Sequence, residues 1–287
     1  MSSTSLKRVV LIAGPTASGK SGLAIEMARA ENGVIINADS MQVYRELRIV
    51  TARPSVEDES NASHRLYGHV SAMDAYSVAR WRREALGEIE AALASGQLPI
   101  ICGGTGLYFM SLLKGLAAVP EPSPEVRTRW RGFEVDLHAE LAARDPAAAD
   151  RLHPSDRQRL IRALEVVDHT GISLYDWQAR AEAAAPLKDF EVRKFFKTAP
   201  RETLYARADS RFDQMLEQGA LDEIRALPPL DAAAPLMKAI GVPELSAHLK
   251  GEIPLAEARA RAKIATRQFI KRQLTWGRGQ MPDWLQV

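Results

Sequence analysis

Val9-Val10-Leu11-Ile12-Ala13-Gly14-Pro15-Thr16-Ala17-Ser18-Gly19-Lys20-Ser21-Gly22 is the stretch whose reading decides the fold. Val9 to Ala13 is an unbroken apolar run, the pattern of a strand buried on both faces of a parallel sheet. Gly14 to Ser21 then fits G-x-x-x-x-G-K-[ST], and Gly22 to Ala30 carries Leu23, Met27 and Ala30 at helical spacing. Between a strand and a helix this motif is an anion site. Its glycines let backbone N–H groups close around phosphate oxygens, and the helix N-terminus adds partial positive charge. Gly14, Pro15, Thr16, Ala17, Ser18, Gly19, Lys20 and Ser21 are therefore the candidate phosphate loop. Lys20 would reach the terminal phosphate, and the Ser21 hydroxyl would ligate Mg²⁺.

Two further apolar runs have the same character: Gly33–Asn37, ending in Ala38-Asp39-Ser40, and Leu98–Cys102, ending in Gly103-Gly104-Thr105-Gly106. Ser77 to Ser95 reads as a helix between them. Alternating strands and helices point to an α/β fold with a mostly parallel sheet, in which ligands sit beyond the carboxyl ends of the strands. Three prolines within Pro120-Glu121-Pro122-Ser123-Pro124 can continue neither a helix nor a central strand. Beyond them the pattern is helical: Pro124–Leu141, Pro146–Leu152, Ser155–Thr170 and Ser173–Ala185. Phe190–Thr198 is strand-like again, and Arg201 to Gly279 reads as helices, with loops at Pro228-Pro229 and around Pro235. The expected layout is a P-loop NTPase-like parallel-sheet core, residues 1–118 and 190–287, carrying a helical insertion domain, residues 119–189.

The 287 residues are 46% hydrophobic and 26% charged, which argues against a disordered, collagen-like or coiled-coil chain. Cys102 alone excludes an internal disulfide framework and a cysteine zinc cage. No stretch approaches the roughly 18 apolar residues of a membrane span, so the expectation is a cytoplasmic, reduced protein with no membrane partner. Lys plus Arg (38) nearly cancels Asp plus Glu (36), so the distribution of charge must decide about nucleic acid. Between Glu257 and Arg278 the basic residues Arg259, Arg261, Lys263, Arg267, Lys271, Arg272 and Arg278 face one acid, Glu257. Arg259, Lys263, Arg267 and Lys271 recur at i, i+4 and form a helical stripe suited to an RNA backbone; the alternative is a solvated helix face. Trp276 and Trp284 could stack on bases but fit terminal packing anchors better.

A phosphate loop does not say what is done to the phosphates. Nucleotide hydrolases usually hold Mg²⁺ with an acid at the end of a second apolar strand, yet the strand through Ile100 ends in glycines and Thr105. The available acid is Asp39. It can serve beside a metal, as a base for an incoming nucleophile, or as the N-cap of the next turn.

The residues here resemble the tRNA dimethylallyltransferases (tRNA isopentenyltransferases), of bacterial type. The matching pieces are Gly14 to Ser21, Asp39-Ser-Met-Gln-Val-Tyr-Arg45, Thr51-Ala-Arg-Pro54, Gly103-Gly-Thr-Gly-Leu-Tyr108, Asp145 to Ala149 and His153-Pro-Ser-Asp156. Gln158-Arg159, Arg162 to Val166, Ala239-Ile-Gly241, Ala265 to Gln268 and Lys271 to Trp276 complete the set in family order along nearly the whole chain. The resemblance implies transfer of a dimethylallyl group from dimethylallyl diphosphate to N6 of the adenosine 3′ of the anticodon, position 37 of tRNA. It implies Mg²⁺ as cofactor, the tRNA anticodon stem-loop as partner and a monomeric protein. By the family pattern Asp39 takes the proton of the attacking amine. Thr105 positions the amine or the diphosphate, Lys20 stabilises the leaving charge, and Arg211 is a candidate diphosphate contact. The tRNA-contacting segments carry over to Asp39, Ser40, Met41 and Gln42 with Thr105; to Gln158, Arg159, Leu160, Ile161 and Arg162; and to Met237, Lys238, Ala239, Ile240, Gly241 and Val242. Lys263, Arg267 and Lys271 of the basic stripe join them. The adenine must leave its stack to reach the diphosphate.

Three positions depart from the family pattern. Glu46 to Val50 replaces a glycine- and aspartate-containing loop, His64-Arg65-Leu66 replaces paired histidines, and Val242 stands where an aromatic is common. The competing functions are a small-molecule kinase on the same loop, a prenyltransferase acting on free adenine nucleotides, and a non-catalytic RNA-binding regulator.

Overall fold

In the computed structural model, which describes residues 7–134, 136–181, 185–231 and 234–287, the apolar runs become strands of one sheet. They are β1 (Lys7–Ala13), β2 (Gly33–Asn37), β3 (Ser63–Arg65), β4 (Leu98–Gly103), β5 (Phe190–Phe196) and β6 (Leu285–Gln286). The order is β3-β2-β4-β1-β5-β6, with every pair parallel. Val9 to Ile12 of β1 are inaccessible to solvent, as a central strand covered on both faces requires. From β1 the chain builds β2, β3 and β4 on one side and β5 and β6 on the other. The carboxyl end of β1 is thus the switch point of the sheet, where such folds bind ligands.

Register aligns the strand tails. Ala13 pairs with Gly103 and Phe196, and Asn37 pairs with Cys102. The glycine loop, Asp39, Thr105 and Lys197 therefore all emerge at one edge of the sheet. Helices α1 (Lys20–Ala30), α2 (Val56–Asn61), α3 (Val78–Ala94) and α4 (Gly106–Leu113) lie among the first strands. α1 packs through the small residues Ala24 and Ala28 against Val10, Ile12, Ile35 and Ile100. α3 starts at Ser77, whose side chain accepts the Arg80 N–H, and buries Trp81, Ala85, Ile89 and Ala92 along one face.

The chain divides into two units, Met1–Met110 with Asp189–Val287, and Ser111–Lys188. The second holds α5 (Pro124–Arg131), α6 (Leu137–Arg144), α7 (Pro146–Ala149), α8 (Arg157–Thr170) and α9 (Leu174–Ala181). Its core gathers Trp130, Leu137, Leu141, Leu160, Ala163 and Leu164. The continuous helix expected over Pro124–Leu141 is two helices, because Gly132 ends α5 and Asp136 caps the start of α6. Part of the alanine-rich end of the expected Ser173–Ala185 helix, residues 182–184, lies outside the described residues. After β5 come α10 (Arg201–Glu217), α11 (Ala220–Arg225), a 3-10 turn at Pro235–Lys238, α12 (Val242–Leu249) and α13 (Leu255–Gln280). α10 to α13 share a core with the 43–50 segment that includes Val43, Leu47, Phe212, Leu236, Val242 and Leu245.

Candidate active site

The glycine loop leaves β1 at Gly14, where any Cβ would stand 2.2 Å from the Lys197 carbonyl oxygen. The loop closes through left-handed Ala17 (φ 65°) and Gly19 (φ 85°). Gly19 is the N-cap of α1, which has no side-chain cap and no acid in its first turn. Its first N–H groups are thus left for an anion. The Ser18 hydroxyl is buried with no hydrogen-bond partner among the described residues, and Lys20 Nζ donates to the Pro15 carbonyl at 3.3 Å.

Asp39 is held from below. Asn37, at the end of β2, is wholly buried. Its Oδ1 accepts the Asp39 N–H at 2.8 Å, and its Nδ2 donates to the carbonyls of Asp39 and Leu66, both at 3.0 Å. Trp81 Nε1 in turn donates to the Asn37 carbonyl at 2.7 Å. Asp39 Oδ1 accepts the Met41 N–H at 2.9 Å, and Oδ2 faces Gly104, 3.5 Å from where a Cβ would lie. Gly103 runs so close to Ala38 that a Cβ would meet its backbone at 2.1 Å. Thr105 closes the bracket: its N–H donates to the Ala38 carbonyl, and its Oγ1 accepts the Ser40 N–H at 3.0 Å.

The charges converge. Withdrawal from water pushes the Lys20 ammonium below its ordinary value; nearby Cys102 and Asp39 oppose that shift, and Arg211 adds to it. Burial likewise lowers the Arg211 guanidinium, with Asp39 opposing. Burial raises the Cys102 thiol to about 11, which keeps it protonated and inert at neutral pH. Lys20 and Arg211 thus both feel the charge of Asp39. No cluster of three metal-ligating side chains occurs among the described residues. Metal here would be held by the Ser21 hydroxyl together with substrate oxygens, a hard-oxygen set that suits Mg²⁺.

A cavity of about 270 Å³ opens between the start of the glycine loop, the Thr105 loop and α13. Ser40, Thr105, Arg272 and Gln273 supply its polar lining, and Phe196, Phe269, Trp276 and Met281 its apolar lining. Trp276 packs against Gly106, where a Cβ would meet the indole at 2.2 Å. Trp284 is buried edge-on against Phe109, as expected of a packing anchor. Asn37, the aromatic lining and Gln273 of α13 belong to this site and were not among the residues expected from sequence. The available signals were an amide, Asn37, ending a strand otherwise apolar on both faces, and the place of Gln273 and Trp276 in the block Lys271 to Trp276.

The RNA-contact residues fare unevenly. Gln158 and Arg159 are exposed at the start of α8, as is Lys238 in its turn. Ser40 and Met41 are partly exposed beside Asp39, and Ile161, Arg162, Met237 and Ile240 are half-buried. Leu160, Ala239 and Val242 have their side chains buried in the two helical cores, and Gly241 is buried too, so any contact these positions make with RNA runs through the backbone. Gln42 spends its Nε2 on the Thr51 and Ala52 carbonyls, both at 2.9 Å. The basic stripe is partly neutralised, because Arg259 and Lys263 pair with Asp213 and Arg267 pairs with Asp209, both on α10. Lys271 and Arg272 are exposed farther along α13. The atypical 46–50 segment is firmly held: Glu223 accepts the N–H groups of Arg48, Ile49 and Val50. No helix among the described residues is long and apolar enough to cross a membrane.

Comparison with known proteins gives consistent matches. The sequence profile of the IPP transferase family matches residues 42–280. A tRNA dimethylallyltransferase of Azorhizobium caulinodans is 52% identical over 283 residues, covering 96% of this chain and 90% of that protein. One from Chelativorans sp. is 51% identical and covers 97% and 98%. Among solved structures, the full-length tRNA isopentenylpyrophosphate transferase of Bacillus halodurans superposes with a TM-score of 0.70 at 31% identity, covering 98% of this chain and 89% of that one. A eukaryotic dimethylallyltransferase caught acting on tRNA superposes with a TM-score of 0.80 at 30% identity, covering 94% and 70%.

Proposed function

The chain belongs to the IPP transferase family, the tRNA dimethylallyltransferases, and from that membership we propose that it transfers the dimethylallyl group of dimethylallyl diphosphate to N6 of adenosine 37 in tRNA, releasing diphosphate and leaving N6-isopentenyladenosine. The observation that carries this reading is the meeting of base and phosphate loop at Gly104, where a Cβ would lie 3.5 Å from Asp39 Oδ2 and 3.6 Å from the Gly14 carbonyl oxygen. A base and a leaving-group site must lie that close for an amine to displace a diphosphate.

The glycine loop and the free N-terminus of α1 bind the diphosphate, while Lys20 and Arg211 take up the charge that grows on it as the C–O bond breaks. Ser21 would hold Mg²⁺ together with diphosphate oxygens, and the ion would supply further neutralisation of the diphosphate. Asp39, oriented by Asn37 and the Met41 N–H, accepts the amine proton as the N–C bond forms. Thr105 holds Ser40 and the Asp39 turn against the end of β4. The apolar side of the cavity suits the allyl group. Exposed Gln158, Arg159, Lys238 and Lys271 contact the anticodon stem-loop. A cytoplasmic monomer working on free tRNA is part of the same proposal.

The relatives are named for tRNA as substrate, and no observation favours a kinase or a free-nucleotide prenyltransferase. The test is mass analysis of tRNA nucleosides before and after incubation with the protein, dimethylallyl diphosphate and Mg²⁺. Adenosine heavier by one C5H8 unit at position 37 is expected. Unmodified tRNA, with prenylated AMP or phosphate transfer from ATP in parallel incubations, would overturn the reading.

A further inference from the structure

We propose that Gln273 is a positioning residue that sets the gap between the phosphate loop and the Thr105 loop, so that one side chain fixes the leaving-group end of the reaction relative to the amine end. The inference rests on the function proposed above. Gln273 lies on α13, remote in sequence from both loops, yet its Oε1 accepts the Thr16 N–H at 2.9 Å and its Nε2 donates to the Gly104 carbonyl at 3.1 Å. Thr16 belongs to the glycine loop, and Gly104 directly precedes Thr105. A Cβ at Gly104 would lie 2.5 Å from Gln273 Nε2, 3.5 Å from Asp39 Oδ2 and 3.6 Å from the Gly14 carbonyl oxygen. The amide, the base and the phosphate loop therefore meet around one residue that has no side chain to spare.

The chemistry of the side chain fits the task. One terminal amide offers an acceptor and donors together, whereas an ionised glutamate has no donor and a lysine has no acceptor. The bond to Thr16 pins one of the loop's own amides, and the bond to Gly104 pins the strand end that carries Thr105. Trp276, three residues along the same helix, packs on Gly106, so α13 grips that loop at two points. A displacement of about 1 Å between reacting groups can cost about 10²-fold in rate. A side chain that spans the two loops is where such a displacement would be prevented.

Two variants separate this role from an RNA contact or a purely structural one. Gln273→Met keeps the length and loses both hydrogen bonds; Gln273→Asn keeps the amide but is one methylene too short to bridge. Each is measured for the single-turnover transfer rate, for tRNA affinity by filter binding, for inorganic diphosphate affinity by calorimetry in the presence of Mg²⁺, and for thermal midpoint. Both should transfer about 10- to 100-fold more slowly and bind diphosphate several-fold more weakly, with tRNA affinity within about twofold of the parent protein. Transfer at the parent rate in either variant overturns the proposal. So does a loss traced wholly to tRNA affinity, or a lowered thermal midpoint with rate and diphosphate binding intact. Should the parent protein transfer no allyl group, the functional reading fails, and the diphosphate affinities still decide the role of Gln273.

Discussion

Replacing Asn37 by leucine tests how Asp39 is held. The side chain is wholly buried and makes three hydrogen bonds: to the Asp39 N–H, the Asp39 carbonyl and the Leu66 carbonyl. Leucine fills a similar volume but leaves one N–H and two carbonyls without partners, each costing about 1–3 kcal/mol if it stays dry. The simple sum is about 3–9 kcal/mol, and because water can reach the outer end of these bonds the lower end, about 3 kcal/mol, is the expected loss. The bond from Trp81 Nε1 goes to the Asn37 backbone carbonyl and survives the change. Both the N–H and the carbonyl of Asp39 lose their fixed partner, so its carboxylate drifts and transfer slows by about 10²-fold. Urea denaturation gives the stability change, and single-turnover transfer of allyl group to tRNA gives the rate. A stability loss below about 1 kcal/mol with an undiminished rate would show that Asn37 does not hold the base.

Three other outcomes follow from the same geometry. Gly103→Ala places a Cβ 2.1 Å from the Ala38 backbone, which cannot move aside as a side chain can, so a destabilisation of at least about 1–3 kcal/mol is expected in a thermal melt. The ammonium of Lys20 is pushed below the ordinary value of 10.5, so it loses its charge at a lower pH than a free lysine would. Diphosphate affinity measured by calorimetry should therefore fall as pH rises through that lowered value, below pH 10.5, and Lys20→Met should remove this limb. For RNA, Lys238→Ala with Lys271→Ala should flatten the salt dependence of tRNA binding by about 0.7–0.9 in log–log slope for each phosphate no longer neutralised. Arg267→Ala, whose charge is already met by Asp209, should change the slope less; an equal change would contradict the pairing.

The central strands and the glycine loop were legible because burial on both faces leaves no choice but an apolar run; β1 and β2 end where those runs end, and β4 ends one residue beyond, at Gly103. β3 and β6 were not, since Ser63–Arg65 and Leu285–Gln286 carry no pattern of their own and are strands only through a neighbour's backbone. The basic stripe on α13 was visible as spacing, but its meaning depends on Asp209 and Asp213. These acids are themselves four residues apart, and the fold turns them toward Arg267 and Lys263. Leu160, Ala239 and Val242 entered as members of contiguous RNA-contact segments, yet a helix or turn alternates its faces, and these three point inward. The local pattern marks Asn37 as an amide ending an apolar strand and Gln273 as part of a matching block, but not their partners, which include residues far along the chain: Leu66 for Asn37, and Thr16 and Gly104 for Gln273.

The account turns on a proton leaving the adenine amine for Asp39 at the place where diphosphate departs. The direct measurement is single-turnover transfer by Asp39→Ala, with tRNA and diphosphate affinities determined on the same preparation. A rate lower by about 10²–10⁴-fold with both affinities retained is the predicted result. A rate close to that of the parent protein would contradict it.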